Sequence, residues 1–326
     1  MRVLGRTITS ATTALAIAAE VALAIVVAPR LLHAQQRDTM RLVAPAGALS
    51  FIAMGDWGRH GEHNQRAVAA QMATVARLLD AAFVLALGDN FYPNGVQSVN
   101  DPQWRTSFED VYTAHALQVD WYVALGNHDY DGSTQAQVDY SQVSRRWRLP
   151  ARYYAFHEKV AEGVDAEFFV LDTTPFITES GGEPQVTAVP HTDTTAQRRW
   201  LDSALTASTA KWKFVVGHHP VYGHRKFPVT PEMERFLVPR LARYGVAAYI
   251  SGHEHRLEHI VPAGSATHYF VSGAASETRT GGRMPGARFV SSHSGFFAMS
   301  LTRDSLIAQA VDDEGRMLYR TAIVKR

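Results

Sequence analysis

Short apolar runs that stop at a glycine recur along the chain, and between several of them apolar residues fall at helical spacing. Leu49 to Met54 runs into Gly55-Asp56-Trp57-Gly58, Phe83 to Leu87 into Gly88-Asp89-Asn90-Phe91-Tyr92, and Val119 to Leu125 into Gly126-Asn127-His128-Asp129. Further on, Phe214 to Val216 stops at Gly217-His218-His219-Pro220, and Val246 to Ile250 leads to Gly252-His253-Glu254-His255. Runs of this length bounded by glycine predict buried strands whose carboxyl ends open into loops. Val68, Met72, Val75 and Leu79 predict an amphipathic helix over 62–80. Phe108, Val111 and Tyr112 predict another helix ahead of the third strand, and 134–147 a further one. Tyr153 to His157 and Ala166 to Leu171 read as strands, the second ending in Asp172-Thr173-Thr174. Thr194 with Gln197 marks a capping-box start for a helix that buries Trp200, Leu201 and Leu205, and Gly245 closes a helix from Glu232 to Tyr244.

From His268 onward the texture changes to strands without intervening helices: Tyr269 to Val271, Phe296 to Leu301, Ser305 to Val311 and Leu318 to Val324. Their alternation suits antiparallel pairing. The expected fold class is therefore a layered α/β architecture, with a central sheet of strand and helix units completed by an antiparallel carboxyl-terminal half. The stretches 178–193 and 281–287, rich in glycine and proline, read as surface loops.

Composition narrows the chemistry. The 326 residues carry a formal net charge of +1, so no electrostatic footprint for nucleic acid is present. The absence of cysteine excludes disulfides, thiolate ligands and a cysteine nucleophile, which leaves any metal to imidazole and oxygen donors and favours hard or borderline ions. At the amino terminus, Arg2 and Arg6 precede a mostly apolar run from Ala14 to Ala28 and a small-residue site at Leu32-His33-Ala34. Residues 1–34 are thus expected to be an export signal, making the protein secreted or periplasmic; Glu20 interrupts the run, and the other reading is an uncleaved membrane anchor. Residues 35–47 read as a linker and 48–326 as a single domain. No other segment reaches the roughly 20 apolar residues needed to span a bilayer.

An aspartate at a strand end ordinarily serves a turn, and a lone histidine is ordinarily a satisfied surface or core group. Five strands ending alike call for one shared ligand, because ligands of α/β sheets gather outside the carboxyl ends of the strands. Asp56, Asp89, Tyr92, Asn127, His218, His253 and His255 would meet there. Two cations about 3.5 to 4 Å apart can clamp the attacking and leaving oxygens of a phosphoryl displacement. Such a pair needs a bridging carboxylate and several N and O donors. A phenolate such as Tyr92 favours a trivalent ion over Zn(II) or Mg(II).

The five blocks, in this order, closely resemble those of the purple acid phosphatases, of the small tartrate-resistant acid phosphatase type, within the calcineurin-like metallophosphoesterases. The likeness extends over 89–156 and covers the chain from about residue 48. It implies a four-layer α/β/β/α sandwich with a mixed central sheet pair. It also implies that Asp56, Tyr92 and His255 hold Fe(III), that Asp89 bridges, and that Asn127, His218 and His253 hold a divalent Fe, Zn or Mn. His128 would contact phosphate or donate a proton, with Asp129 orienting its ring. The implied activity is hydrolysis of phosphate monoesters at acidic pH by a metal-bound hydroxide. A Mn or Zn phosphodiesterase is the alternative within enzymes, and a non-catalytic metal-bound binding protein the alternative outside them. His219 stands where the small phosphatases usually carry an aromatic residue, and the following stretch looks shorter than theirs. His224 within it is expected to be a second proton donor or phosphate contact. His60 and His63, after the first block, are read either as lining the mouth of the site or as belonging to a helix start.

Overall fold

Strand β2 (Phe83–Leu87) has no polar side chain and is buried along its whole length. That is the signature of a strand covered on both faces, and it lies between parallel neighbours β1 (Leu49–Met54) and β3 (Asp120–Ala124). The computed structural model describes residues 40, 42–43, 45–177, 194–223 and 231–325. Residues 1–34, expected above to be an export signal, residues 178–193, expected to be a loop, and His224 lie outside them. From Val43 on the described chain forms one compact unit, and Val43 already exchanges two hydrogen bonds with the side chain of Gln309. No helix among the described residues is long and apolar enough to cross a membrane.

Among the described residues fourteen strands make two seven-stranded mixed sheets. The remaining strands of the first are β4 (Trp147–Arg148), β12 (Gly295–Leu301), β13 (Ser305–Asp312) and β14 (Met317–Val324), and its order is β14-β13-β12-β1-β2-β3-β4. Strands β1 to β4 run parallel, and β12 to β14 complete the sheet antiparallel. The second sheet holds β5 (Tyr154–Ala161), β6 (Val164–Val170), β7 (Trp212–Val216), β8 (Ala248–Ser251), β9 (Leu257–Ile260), β10 (His268–Ser272) and β11 (Ala287–Ser291). Its order is β11-β9-β10-β8-β7-β6-β5, with β6, β7, β8 and β10 parallel.

The period of two decides which layer each side chain joins. Phe51 and Phe83 of the first sheet meet Phe168 of the second, both with ring centroids 5.4 Å apart, and Phe270 meets Phe297 at 5.3 Å. Phe169, Val215, Tyr249 and Tyr269 point the other way. They pack with Leu201 and Leu205 of helix α3 (Thr195–Ala207) and with Phe236, Leu237 and Leu241 of helix α4 (Pro231–Arg243). Helix α1 (Gln65–Leu79) buries Val68, Met72, Val75 and Leu79 and packs on β1, β12 and β13 of the first sheet. The layers are thus α/β/β/α, as the resemblance implies.

Several local expectations change. The segment around Phe108 is a short π-helical turn, Trp104–Glu109, and the helix expected over 134–147 stops as α2 (Thr134–Asp139). Trp147 leaves the helix because it pairs with Trp121 as β4 and fills an aromatic cluster with Trp57, Phe91, Trp104 and Phe108. The capping box at α3 does not form. Gln197 instead clasps the backbone N and O of Asp172, both at 2.9 Å, so it ties the helix start to the end of β6.

Candidate metal centre

All five glycine-ended strands or their following loops converge, and the seven polar residues of those tips are joined in one network of short contacts. They form two groups of three around Asp89. In the first, the Tyr92 hydroxyl lies 3.1 Å from Asp56 Oδ1 and 3.1 Å from His255 Nε2. In the second, Asn127 Oδ1 lies 3.1 Å from His218 Nε2 and 3.1 Å from His253 Nδ1. Asp89 sends one oxygen to each: Oδ2 is 2.7 Å from Tyr92 Oη and Oδ1 is 3.3 Å from His218 Nε2.

The backbone is bent to permit this. Asp56, Asp89 and His253 adopt left-handed conformations, with φ of 62°, 47° and 67°. A non-glycine residue there costs about 1 to 3 kcal/mol and persists where its surroundings over-determine it. Those surroundings are visible: Asp56 N donates to Gly88 O at 3.0 Å, Trp57 N to Asp89 O at 3.2 Å, and His253 N to Asp56 Oδ2 at 2.9 Å. The glycines supply room as well as freedom. Gly88 has φ of +90°, and a Cβ on it would stand 2.6 Å from His218 Nδ1 and 2.8 Å from Gly126 N. A Cβ on Gly126 would fall on the backbone nitrogen and carboxylate of Asp89. Gly126→Ala is therefore expected to push two tips apart. It should lower bound metal at least tenfold in a chelator competition while far-UV circular dichroism stays native; unchanged metal affinity would show that the tips tolerate separation.

The donor chemistry suits a cation. His218 Nδ1 lies 2.8 Å from the Leu87 carbonyl, which can only accept, so this nitrogen carries a proton and Nε2 is the ring atom that faces inward. That Nε2 is 3.3 Å from His253 Nδ1. Tyr92 has a single proton for three acceptors, and the buried Nδ1 of His255 has no hydrogen-bond partner among the described residues. Burial, the neighbouring His218 charge and the other groups leave His253 lowered to about 3; burial and Arg279 leave His255 at about 2. Both imidazoles are therefore neutral and available as ligands. Burial raises Asp56 to about 8 and holds the Tyr92 phenol well above its usual range, with the Asp56 and Asp89 charges adding to the latter. Burial opposes a charge on His218, but the facing Asp89 and Asp56 carboxylates outweigh it and raise that imidazole to about 10. Asp89 is held low by the same pairing against its own burial. A proton on His218 here does what a bound cation does: it neutralises an acceptor-rich pocket.

His128 lies beside this group, its backbone N donating to Asp89 Oδ1 at 2.9 Å and its ring 4.4 Å from that of Tyr92. The expected bond from Asp129 to its ring is not there. His128 Nδ1 donates instead to the Pro93 carbonyl at 2.6 Å, and Asp129 is buried at the loop base, accepting from Gly126 N, Asn90 N and Nδ2, and Gln137 Nε2. Asp129 faces inward because those donors would otherwise be buried without partners. His219 is buried beside Thr173, its ring 4.5 Å from that of His253. Its imidazole falls with His218 and His253 in one group able to share an ion, overlapping the group of Asp56, Asp89 and His218. His60 bonds Thr106 away from the centre.

Two residues were missed by reasoning on the tips. Asn90 is fully buried: it accepts from Trp57 Nε1 and donates to Ala124 O, Asp129 and Gln137. Its place inside the second block was the only signal. Arg59, next to the first block, places its guanidinium carbon 3.7 Å from the centroid of the Tyr92 ring.

Comparison with known proteins adds an independent line. Residues 49–257 match the calcineurin-like phosphoesterase family. The chain is 34% identical over 304 residues to purple acid phosphatase 4 of Arabidopsis thaliana, covering 90% of this chain and 88% of the relative. It is 33% identical over 303 residues to human tartrate-resistant acid phosphatase type 5, covering 86% and 92%. Among solved structures, GAP50 of Plasmodium, described as the anchor in the inner membrane complex, superposes with a TM-score of 0.74 at 23% identity over 86% of this chain and 89% of that one.

Proposed function

The chain belongs to the calcineurin-like phosphoesterases, and among them to the purple acid phosphatases, and from that premise we propose that it hydrolyses phosphate monoesters at acidic pH at a dinuclear Fe(III)/M(II) centre. The observation that carries the reading is the division of the Asp89 carboxylate, one oxygen toward Tyr92 and one toward His218. A bridging ligand needs that disposition. Asp56, Tyr92 and His255 would hold Fe(III); Asn127, His218 and His253 would hold a divalent Fe, Zn or Mn. When bound, the pair supplies Lewis acidity and a nucleophile drawn from water.

The remaining steps fall to side chains. The leaving alkoxide needs a proton, and His128, whose ring lies 4.4 Å from that of Tyr92, is the proposed donor. The Pro93 carbonyl engages Nδ1, so Nε2 is the ring nitrogen that would serve the ester. Asp129 acts through the loop: by gathering Gly126 and Asn90 it fixes the turn that carries Asn127 and His128. His224 is proposed as a second phosphate contact from the segment beyond Gly223. Export rests on the arginine-led apolar run of residues 1–34.

Iron held by Tyr92 predicts a visible phenolate-to-metal absorption in the purified protein. In Tyr92→Phe that band is expected to vanish while the protein stays folded. A colourless, iron-free wild type with full activity would sink the iron assignment. Initial rates on an aryl phosphate and a bis-aryl phosphate at about pH 5 and about pH 8 separate the monoesterase from a Mn or Zn phosphodiesterase, which prefers the diester and the higher pH.

A further inference from the structure

We infer that Arg59 is a positioning residue that sets how strongly the Tyr92 ring donates to its metal, an inference that rests on the iron assignment above. The guanidinium lies over the face of the Tyr92 ring, with Cζ 3.7 Å from the centroid. It is not a loose surface cation. Its side chain is 16% exposed, Nε donates to Ser276 Oγ at 3.2 Å, and Nη2 pairs with Glu277 Oε2 at 3.1 Å. Ser276 in turn donates to the backbone carbonyl of Asp56 at 2.5 Å and accepts at its own carbonyl from Ser294 Oγ at 2.9 Å. The charge is thus fixed to the same loop that carries one of the ligands beside Tyr92. On another side the ring meets that of His128 at 4.4 Å, so it cannot slide away from the cation.

The physical consequence has a definite sign. A cation on the face of an aromatic ring lowers the energy of the ring's π electrons. The phenolate-to-metal absorption moves an electron off the ring toward the ion at Oη, farther from Arg59, and so works against the guanidinium charge. Arg59 should therefore raise the energy of that absorption. Glu277 opposes it, since its carboxylate partly cancels the guanidinium charge. Removing the cation should move the visible band to longer wavelength, and removing its counter-ion should move it to shorter wavelength. A residue that only packed against the ring would produce neither opposite shift.

The test uses the full chain loaded with iron, its content measured in each preparation. Arg59→Met keeps most of the apolar stem and loses the charge, and its band should lie at longer wavelength than the wild type. Arg59→Lys keeps a cation and should return the band toward the wild-type position. Glu277→Gln, an exposed change, should shift it to shorter wavelength. An unmoved band in Arg59→Met at equal iron content overturns the inference. If that variant fails to fold or to hold iron, Glu277→Gln decides, and a band unmoved or at longer wavelength overturns it. An iron-loaded but colourless wild type overturns the iron assignment and this inference together, whereas a coloured wild type with unmoved variants overturns this inference alone.

Discussion

Asp89→Asn is expected to reduce phosphatase activity by at least about a thousandfold, because a metal pair supplies several kcal/mol of transition-state stabilisation and each 1.36 kcal/mol is a factor of ten. The substitution changes shape little, so the effect is one of charge and donor type. Asp89 accepts from Tyr92 Oη and His128 N and faces His218 Nε2. An amide offers one oxygen and one NH2 group, and whichever way it turns, the NH2 points at one of the two groups of donors. One metal position then loses its shared oxygen and meets a donor instead. Metal analysis should show the protein holding about one ion or none, with the loss in kcat rather than in KM. Two ions retained together with activity within tenfold of wild type would remove Asp89 from the bridging role.

The second large effect is on stability. Trp57 is fully buried, and its ring centroid lies 5.5 to 6.3 Å from those of Tyr112, Phe91, Phe108, Trp121 and Trp147. Truncating such a residue to alanine costs about 3 to 5 kcal/mol, through lost burial and the cavity that remains. Against a typical total of about 5 to 15 kcal/mol, that is a large share. A midpoint of thermal unfolding roughly 10 °C lower is expected, at about 2 to 4 °C per kcal/mol for a chain of this size. Trp57→Phe is the informative companion. It keeps the apolar contacts but removes the indole N–H that donates to Asn90 Oδ1 at 3.1 Å. Leaving that buried acceptor unpaired costs about 1 to 3 kcal/mol, so Trp57→Phe should fall between wild type and Trp57→Ala. If Trp57→Ala melts within 2 °C of wild type, measured at about 1 kcal/mol or less, the cluster does not support the fold in the way proposed.

What the sequence made legible here is what is written locally. Each proposed ligand sits one to four residues past a glycine that ends an apolar run, and five repetitions of that grammar point to seven residues. The central strands were equally plain, since β2 has no polar residue at all. What escaped depends on partners far along the chain. Trp147 reads as the end of a helix until Trp121 and Phe91 are beside it. Gln197 has the right offset for a capping box, yet its amide goes to Asp172, 25 residues earlier. Asp129 looks like a partner for its neighbour His128, and three other residues claim it. Strand β11 is absent from the sequence expectations, which share with it only Ala287 of the 281–287 loop, because it is half-exposed and carries no apolar run. Arg59 had no local signature, because the ring it covers lies 33 residues further on.

The crowding of the glycine tips bears on any attempt to build this centre elsewhere. A designer who grafts the seven side chains onto another α/β scaffold copies only what is present. Here Gly88 touches His218 and Gly126 where a methyl group would stand, Gly126 touches Asp89, and Gly252 touches Asp56, its would-be Cβ 2.6 Å from Oδ2. The template to transplant is therefore a set of vacancies in three backbones, together with three left-handed ligand positions. A graft with every ligand and ordinary strand ends would hold its donors about a methyl group too far apart.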